Sequence, residues 1–518
     1  MSSEPAIDVH EMPGRPILEA RKAPPCAVVI FGALGDLTKR KLVPALYNLL
    51  ADGALPDGVG IIGVGRRAIS NDEYRENLRA STVQYSRRKS VDDALWQDFA
   101  GRVELAHGDF EQDGVYQQLA QMLGRLDQER GTAGNRLFYL AIPPDSFPIV
   151  LDKLHSHGLV GDGGKVIIEK PFGTDLGSAR ALNDLVAKYL TEKQTYRIDH
   201  YLGKESVQNI LVFRFGNSIF EPLWNRKYID HVQITASEAI GVEGRGKFYE
   251  QTGVMRDVVQ NHLLQVLALC TMEPPSSFSA DDIRDEKAQL LRSIRPISDY
   301  EVASHVVRGQ YRGYRREAGV APDSRTPTYA AMKIMIDNWR WQGVPIYLRA
   351  GKKLAQQRTD ISIHFQSIPF CLFKQEDACQ LVEPNVLTIR IQPNEGMTLR
   401  YVAKVPGEQL SVANVQMSMT YAEAVGKPLA EAYERLLLDC MSGDQTLFAR
   451  RDEVDNAWKF VTPILDAWDA DTRSELAFYD DGHNGPAEAD HLLFQDNRRW
   501  RDLQGSPLTQ TGVARPKG

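Results

Sequence analysis

The sequence predicts two folding patterns in one chain: a doubly wound α/β domain at the N-terminus, then a larger α+β domain with a big, mostly antiparallel sheet. Three observations predict this. From Ala27 to about Asp199, short apolar runs alternate with amphipathic stretches. Past about Tyr201, runs rich in β-branched residues follow one another with no helical pattern between them. The first apolar run also leads straight into a glycine turn and a helical pattern, the way ligand-binding α/β sheets begin.

The candidate strands of the first part are AVVIF (27–31), GIIGV (60–64), RVELA (102–106), RLFYLA (136–141) and KVIIE (165–169). Strands buried on both faces read as near-continuous apolar runs, and strand–helix–strand alternation implies right-handed βαβ units and a mostly parallel sheet. Between them, SNDEYRENLRA offers Ser70 and Glu73 as a capping box, and GVYQQLAQMLGRLDQ has helical spacing. In the second part, one long helix is expected across MRDVVQNHLLQVLALC (255–270). The stretches HVQITASEAIGV, PIYLRAGK, TDISIHFQ, NVLTIRIQPNE and MTLRYVAKV read as consecutive strands, hence an antiparallel sheet. Helices return at EAYERLLLDCM and DEVDNAWKFVTPIL. The expected layout is a flexible tail over 1–25, a nucleotide-type domain over 26–199, an α+β domain over 200–505 and a second tail over 506–518.

Composition bounds the function. The 518 residues carry 61 Lys and Arg against 68 Asp and Glu, a net charge of −7, which argues against a general nucleic-acid binder. The five cysteines include no C-x-x-C pair, so neither a disulfide framework nor a zinc ribbon is expected. Cys371 and Cys379, eight apart in a strand-like stretch, read as two buried apolar thiols. No metal is expected: there is no H-E-x-x-H, and DAWDADTRSE (466–475) lacks the glycine and the spacing of a calcium loop. The opening residues lack the apolar core of a signal peptide, and no run approaches the ~18 apolar residues of a membrane span. A cytoplasmic protein with no membrane partner is the expectation.

The first strand runs into GALGDLTKRKLVPAL (32–46), where Gly32 and Gly35 permit a tight turn and the following helix would aim its first amides at a pyrophosphate. The spacing is G-x-x-G, so alone it reads equally well as an ordinary glycine turn. The second strand ends in GVGRR (63–67). Arg66 and Arg67 stand where an NAD site places an acid for the ribose, and guanidinium groups suit a 2′-phosphate, so the Rossmann-like reading favours NADP. A rival phosphate loop, GVEGRGK (241–247), fits Walker spacing, but Phe248 replaces the Ser/Thr that would hold magnesium.

IIEKPFGTDL (167–176) puts Lys170 at the C-terminal edge of a predicted strand, where doubly wound sheets bind ligands. RIDHYLGKE (197–205) gathers Asp199, His200, Tyr201 and Lys204 at another strand exit. Three of these four can donate to a phosphate dianion. His262 lies in the long helix. Asp257, five positions earlier, falls about 140° round an ideal helix, so the two are not expected to pair.

Taken together, GxxGDLTKRKL, NRLFYLAIPP, IIEKPFGTDL, RIDHYLGKE, GVEGRGKFYE, RDVVQNHLLQ and LRAGK occur in the order found in glucose-6-phosphate dehydrogenases. The chain resembles that family, in its bacterial type, through IRIQPNE, AYERLLLDC, WKFVTPI and GPAEAD, nearly everything but the tails. The resemblance implies oxidation of D-glucose 6-phosphate at C1 to 6-phosphogluconolactone, hydride transfer to NADP, and self-association to a dimer or tetramer through the big sheet. It also implies roles. His262 matches the general base and Asp199 its supporting carboxylate. His200, Tyr201 and Lys204 match phosphate contacts, and Lys170 the lysine between sugar and coenzyme. Glu238, Asp257, Lys352 and Gln392 match sugar contacts, while Gly32, Gly35, Asp36, Leu37 and Arg66 match the coenzyme site.

An imidazole titrating near neutrality suits removal of the C1 hydroxyl proton, and a buried carboxylate would stabilise the imidazolium. Two departures stand out. Leu34 replaces a small hydroxyl residue of the coenzyme loop, and Gln357 stands where the family carries a basic residue, with Arg358 one position on. The alternatives are a broader hexose-6-phosphate or dual NAD/NADP dehydrogenase, and an inactive sugar-phosphate sensor, which the presence of His262, Asp199 and Lys204 disfavours.

Overall fold

The computed structural model describes residues 22–503, apart from 89, 374–378, 380, 409, 426–428 and 472–475. The two expected tails fall for the most part outside the described residues, as do four positions of the calcium-loop stretch.

The chain divides into two compact units. The first comprises the chain up to Gln208 with Pro274–Glu286 and Ala422–Asp455. Its strands are β1 (Ala27–Phe31), β2 (Gly60–Gly65), β3 (Val103–His107), β4 (Arg136–Leu140), β5 (Gly164–Ile168) and β6 (Thr195–Ile198). With the two-residue strand Phe448–Ala449 they form a seven-stranded sheet in the order 448–449, β6, β5, β4, β1, β2, β3. All neighbours are parallel except Phe448–Ala449 against β6. Every residue of β1 is buried, which is why it reads as an unbroken apolar run.

The strand order reverses at β1, whose two neighbours are β2 and β4. Phe31 pairs with Val64 on one side and Leu140 on the other, so the three strands end level. Such a switch point opens a crevice beyond the strand ends, and there the glycine turn begins. The sequence reading places a strand exit at RIDHYLGKE but assigns no strand to the four residues TYRI of β6, which include Arg197. That guanidinium is buried, held by Glu192 at 2.6 Å and Asn183 at 3.0 Å, and a paired buried charge disguises a strand. Ser70 caps the helix Asn71–Tyr85 through the Glu73 amide at 3.1 Å, as its position predicts.

The second unit comprises Asn209–Glu273, Lys287–Tyr421 and the chain from Asn456. Its strands are β7 (Ile229–Ser237), β8 (Val306–Tyr311), β9 (Tyr329–Ile334), β10 (Ile346–Gly351), β11 (Arg358–Phe365), β12 (Val386–Gln392), β13 (Gly396–Lys404) and β14 (Val412–Thr420). Together with Ala477–Tyr479 they make a nine-stranded sheet in the order β14, β13, β12, β11, β7, β10, β9, β8, 477–479. The pairings are antiparallel except β7 with β10 and β8 with 477–479.

Two expectations need correction. The helix across 255–270 is not uniform: Met255–Leu263 is π-helical and passes into an α-helix at Leu264–Thr271. In i→i+5 geometry, residues five apart stack about one turn apart, so the angle computed for Asp257 and His262 on an ideal α-helix does not apply. Cys371 and Cys379 are not free thiols but form a disulfide in the loop between β11 and β12, with Cα atoms 5.9 Å apart. Cys26, Cys270 and Cys440 are free and buried, and burial pushes the Cys26 and Cys270 thiols up to about 12.

Candidate active site

In the first unit, the turn after β1 is shaped by Gly32, at φ 85°. A Cβ there would lie 2.2 Å from the Ala141 carbonyl oxygen, so only glycine fits. The Val64 carbonyl accepts from the Gly32 and Ala33 amides at 3.1 Å, the Gly32 carbonyl accepts from the Gly35 amide at 2.9 Å, and the Thr38 hydroxyl donates to the same carbonyl at 3.0 Å. These bonds lock the turn against the helix that starts at Asp36 and Leu37. The first amides of a helix have no intrahelical acceptor and, with the dipole, form an anion cradle. Leu34 leans on Gly65 at the end of β2, where a Cβ would be 3.4 Å from its side chain.

Arg66 and Arg67 follow β2 directly and are exposed. The His107 ring meets the Arg66 carbonyl at 3.0 Å and fixes the backbone there. Among the described residues, neither guanidinium has an acidic partner. A cradle that a side chain would fill, with two exposed guanidinium groups on the adjacent strand end, fits the anionic phosphates of a nicotinamide dinucleotide.

Lys170 lies just past β5 and joins Pro171 through a cis peptide. Its neighbour Glu169 is enclosed by the Tyr139 and Tyr433 hydroxyls, and burial holds the carboxyl above its ordinary range. Asp199 follows β6 and is buried, its Oδ1 accepting from the Tyr201 amide at 2.9 Å. This turn sets the next side chains: the His200 and Tyr201 rings meet edge-on at 5.2 Å, and the Lys204 ammonium stands 5.5 Å over the Tyr201 ring. Asp199, His200, Tyr201 and Lys204 thus share one tight turn, as their spacing suggested.

In the second unit, the parallel pairing of β7 and β10 sets Ser237 opposite Gly351. The residue after each is therefore its neighbour's counterpart, and Glu238 and Lys352 form an ion pair. The Glu238 amide donates to the Gly351 carbonyl at 2.9 Å, and the Lys352 amide to the Thr328 carbonyl at 3.0 Å. Gly351 is obligatory because a Cβ would press to 2.5 Å from the Tyr329 ring, which accounts for the glycine of LRAGK. Asp257 and His262 lie on the π-helical segment, and His262 is buried.

Gln392 ends β12, joined to Pro393 by a cis peptide, and donates to the Thr359 hydroxyl at 3.2 Å. Arg358, one position beyond Gln357, is already engaged. Its guanidinium is held by Asp360 at 2.6 Å and donates to the carbonyls of Asp502 and Leu503. Tyr249, which no motif singled out, places its ring 5.2 Å beneath the Lys352 ammonium. GVEGRGK is a turn leading into the helix Gly246–Val254, with Glu243 and Gly244 at positive φ, and not the strand-to-helix setting of a Walker loop.

Two family models match the chain: "Glucose-6-phosphate dehydrogenase, NAD binding domain" over residues 29–209 and "Glucose-6-phosphate dehydrogenase, C-terminal domain" over 211–501. A glucose-6-phosphate 1-dehydrogenase of Chlamydia pneumoniae is 48% identical over 501 residues, covering 93% of this chain and 97% of that one. Among solved structures, a glucose-6-phosphate 1-dehydrogenase from Mycobacterium avium has a TM-score of 0.82 at 38% identity, covering 93% of this chain and 99% of its own. A glucose-6-phosphate dehydrogenase in complex with its substrate glucose-6-phosphate has a TM-score of 0.85 at 36% identity, covering 94% and 100%.

Proposed function

The chain belongs to the glucose-6-phosphate dehydrogenase family, and from that premise we propose that it oxidises D-glucose 6-phosphate at C1 to 6-phospho-D-glucono-1,5-lactone with NADP as hydride acceptor. This is the first reaction of the oxidative pentose phosphate pathway. One observation carries the reading: nearly the whole chain shares its fold with a dehydrogenase solved with glucose 6-phosphate. The coenzyme is a nicotinamide dinucleotide; the finer choice of NADP is supported by Arg66 and Arg67.

In the proposed mechanism, His200, Tyr201 and Lys204 hold the phosphate, a dianion that the lysine neutralises and the phenol and imidazole hydrogen-bond. Glu238, Asp257, Lys352 and Gln392 engage the sugar hydroxyls, so an analogue lacking one strands a buried polar group. His262 accepts the C1 hydroxyl proton as the carbonyl forms, and Asp199 is the carboxylate that stabilises the imidazolium. When bound, the nicotinamide supplies the hydride-accepting carbon. Gly32, Gly35, Asp36 and Leu37 contribute the backbone cradle, and Lys170 the ammonium between sugar and coenzyme. Self-association to a dimer or tetramer belongs to the same proposal and is supported by the outer strand β14, where Met417 is 46% exposed. A cytoplasmic location also belongs to it; no described helix is long and apolar enough to cross a membrane.

The test is the absorbance of reduced coenzyme with glucose 6-phosphate and either NADP or NAD. Turnover with NADP, at a kcat/KM well above that with NAD, is expected. Arg66→Ala should raise the KM for NADP about tenfold, the worth of one charge-assisted hydrogen bond, and leave that for NAD unchanged. Equal use of both coenzymes would overturn the NADP assignment and favour the dual-coenzyme reading. Binding of both ligands with no turnover would overturn the enzyme reading.

A further inference from the structure

Resting on the sugar site proposed above, we infer that Tyr249 is a specificity-determining contact: its phenol donates a hydrogen bond to a ring hydroxyl of the bound hexose phosphate, beside Glu238 and Asp257. Tyr249 lies on the helix Gly246–Val254 and is 2% exposed. The Tyr314 ring meets it edge-on at 6.0 Å and the Lys352 ammonium stands over its face at 5.2 Å. Yet its hydroxyl has no hydrogen-bond partner among the described residues. Buried hydroxyls are nearly always paired, because the bond to water lost on burial is otherwise not replaced.

Most tyrosines packed in the same cluster follow that rule. Tyr311 donates to Glu317 at 3.0 Å, Tyr314 to Glu250 at 2.7 Å, and Tyr479 to the Lys352 carbonyl at 2.7 Å. Tyr329 also lacks a partner, but the charges that act on it are the Arg349 guanidinium first and the Asp490 carboxylate after it, and neither is matched to a sugar contact. Tyr249 instead feels Asp257 and Glu238, two acceptors matched to sugar hydroxyls, and after burial itself these charges do most to hold the phenol protonated. A hydroxyl that stays protonated beside two carboxylates is a donor poised for a group that can both give and accept, as a sugar hydroxyl does. Phenylalanine would fill the same space, so packing does not explain the oxygen.

The experiment compares wild type with Tyr249→Phe on glucose 6-phosphate and on analogues altered at one hydroxyl each: 2-deoxyglucose 6-phosphate, 3-deoxyglucose 6-phosphate and galactose 6-phosphate. With glucose 6-phosphate, kcat/KM should fall about five- to tenfold, through KM more than kcat, the worth of one neutral hydrogen bond. With the analogue lacking the partner hydroxyl, the two proteins should be indistinguishable. The melting temperature of the variant should not fall, since an unpaired buried hydroxyl has been removed. A kcat/KM within about twofold of wild type on glucose 6-phosphate, or an equal loss on every analogue, would overturn the assignment. Failure of the wild type to turn over glucose 6-phosphate would instead remove the reading of the site on which it rests.

Discussion

His262→Asn is expected to lower kcat by roughly a hundred- to ten-thousand-fold, the usual worth of a positioned general base. Affinity for glucose 6-phosphate and for the coenzyme should stay within about threefold of wild type, because a base that acts as the proton departs contributes to the transition state and little to the ground state. Asparagine suits the test. It is polar and smaller than imidazole, it keeps one amide where a ring nitrogen was, and it cannot take a proton. The substitution leaves the backbone bond at this position in place, since the His262 amide donates to the Asn261 side chain at 2.6 Å. Steady-state kinetics give kcat, and calorimetric titration gives the two affinities. A kcat within about tenfold of wild type would assign the proton to another group. A parallel collapse of binding would show that His262 is a packing residue.

How much of this was legible in the sequence depends on what each residue had to bury. The parallel strands β1, β2, β4 and β5 were readable because both faces are covered and nearly every position is apolar or small. β6 was legible only as the strand exit before Asp199, since Arg197 interrupts its apolar run and the bonds to Glu192 and Asn183 become visible only in the fold. In the large sheet, the inner strands β7, β10, β11 and β12 declared themselves by β-branched content. β14 did not, being an outer strand in which Asn, Gln, Ser and Thr are interspersed among the apolar residues and only Val412 is buried.

The site shows the same division. Lys170 and the Asp199–Lys204 turn were read from strand exits, and Glu238 and Lys352 from the family resemblance, but their ion pair needed the parallel register of β7 with β10. The π-helical turns around His262 were not legible because an apolar pattern does not distinguish i→i+4 from i→i+5 helices. The disulfide was missed because an eight-residue spacing says nothing about whether the intervening chain turns back. Tyr249 was invisible for a different reason: a tyrosine in FYE is ordinary core material until its hydroxyl is seen to lack a partner.

Gly32→Ala is the second large effect expected, and it separates two roles of glycine. At φ 85° any L-residue is disfavoured, by about 1–2 kcal/mol. Here the new Cβ would also lie 2.2 Å from the Ala141 oxygen and 3.0 Å from its carbonyl carbon. Both are backbone atoms at the end of β4, so no rotamer change relieves the contact, and β1 and β4 must part where the sheet opens toward the coenzyme. The added overpacking brings the expected loss of stability to about 2–5 kcal/mol.

The functional consequence should be sharper than the thermal one. The Gly32 carbonyl accepts from both the Gly35 amide and the Thr38 hydroxyl, so moving it tilts the first turn of the helix that forms the phosphate cradle. The KM for coenzyme should rise by at least about tenfold while glucose 6-phosphate affinity holds. Gly53→Ala is the control. Its φ is also positive, at 70°, but nothing lies within 4 Å of the added carbon, so it carries the conformational cost alone and should leave coenzyme affinity untouched. Thermal unfolding and coenzyme titration of the two variants decide the matter: if Gly32→Ala behaves like Gly53→Ala in both, the close approach of the turn to Ala141 does not shape the cradle.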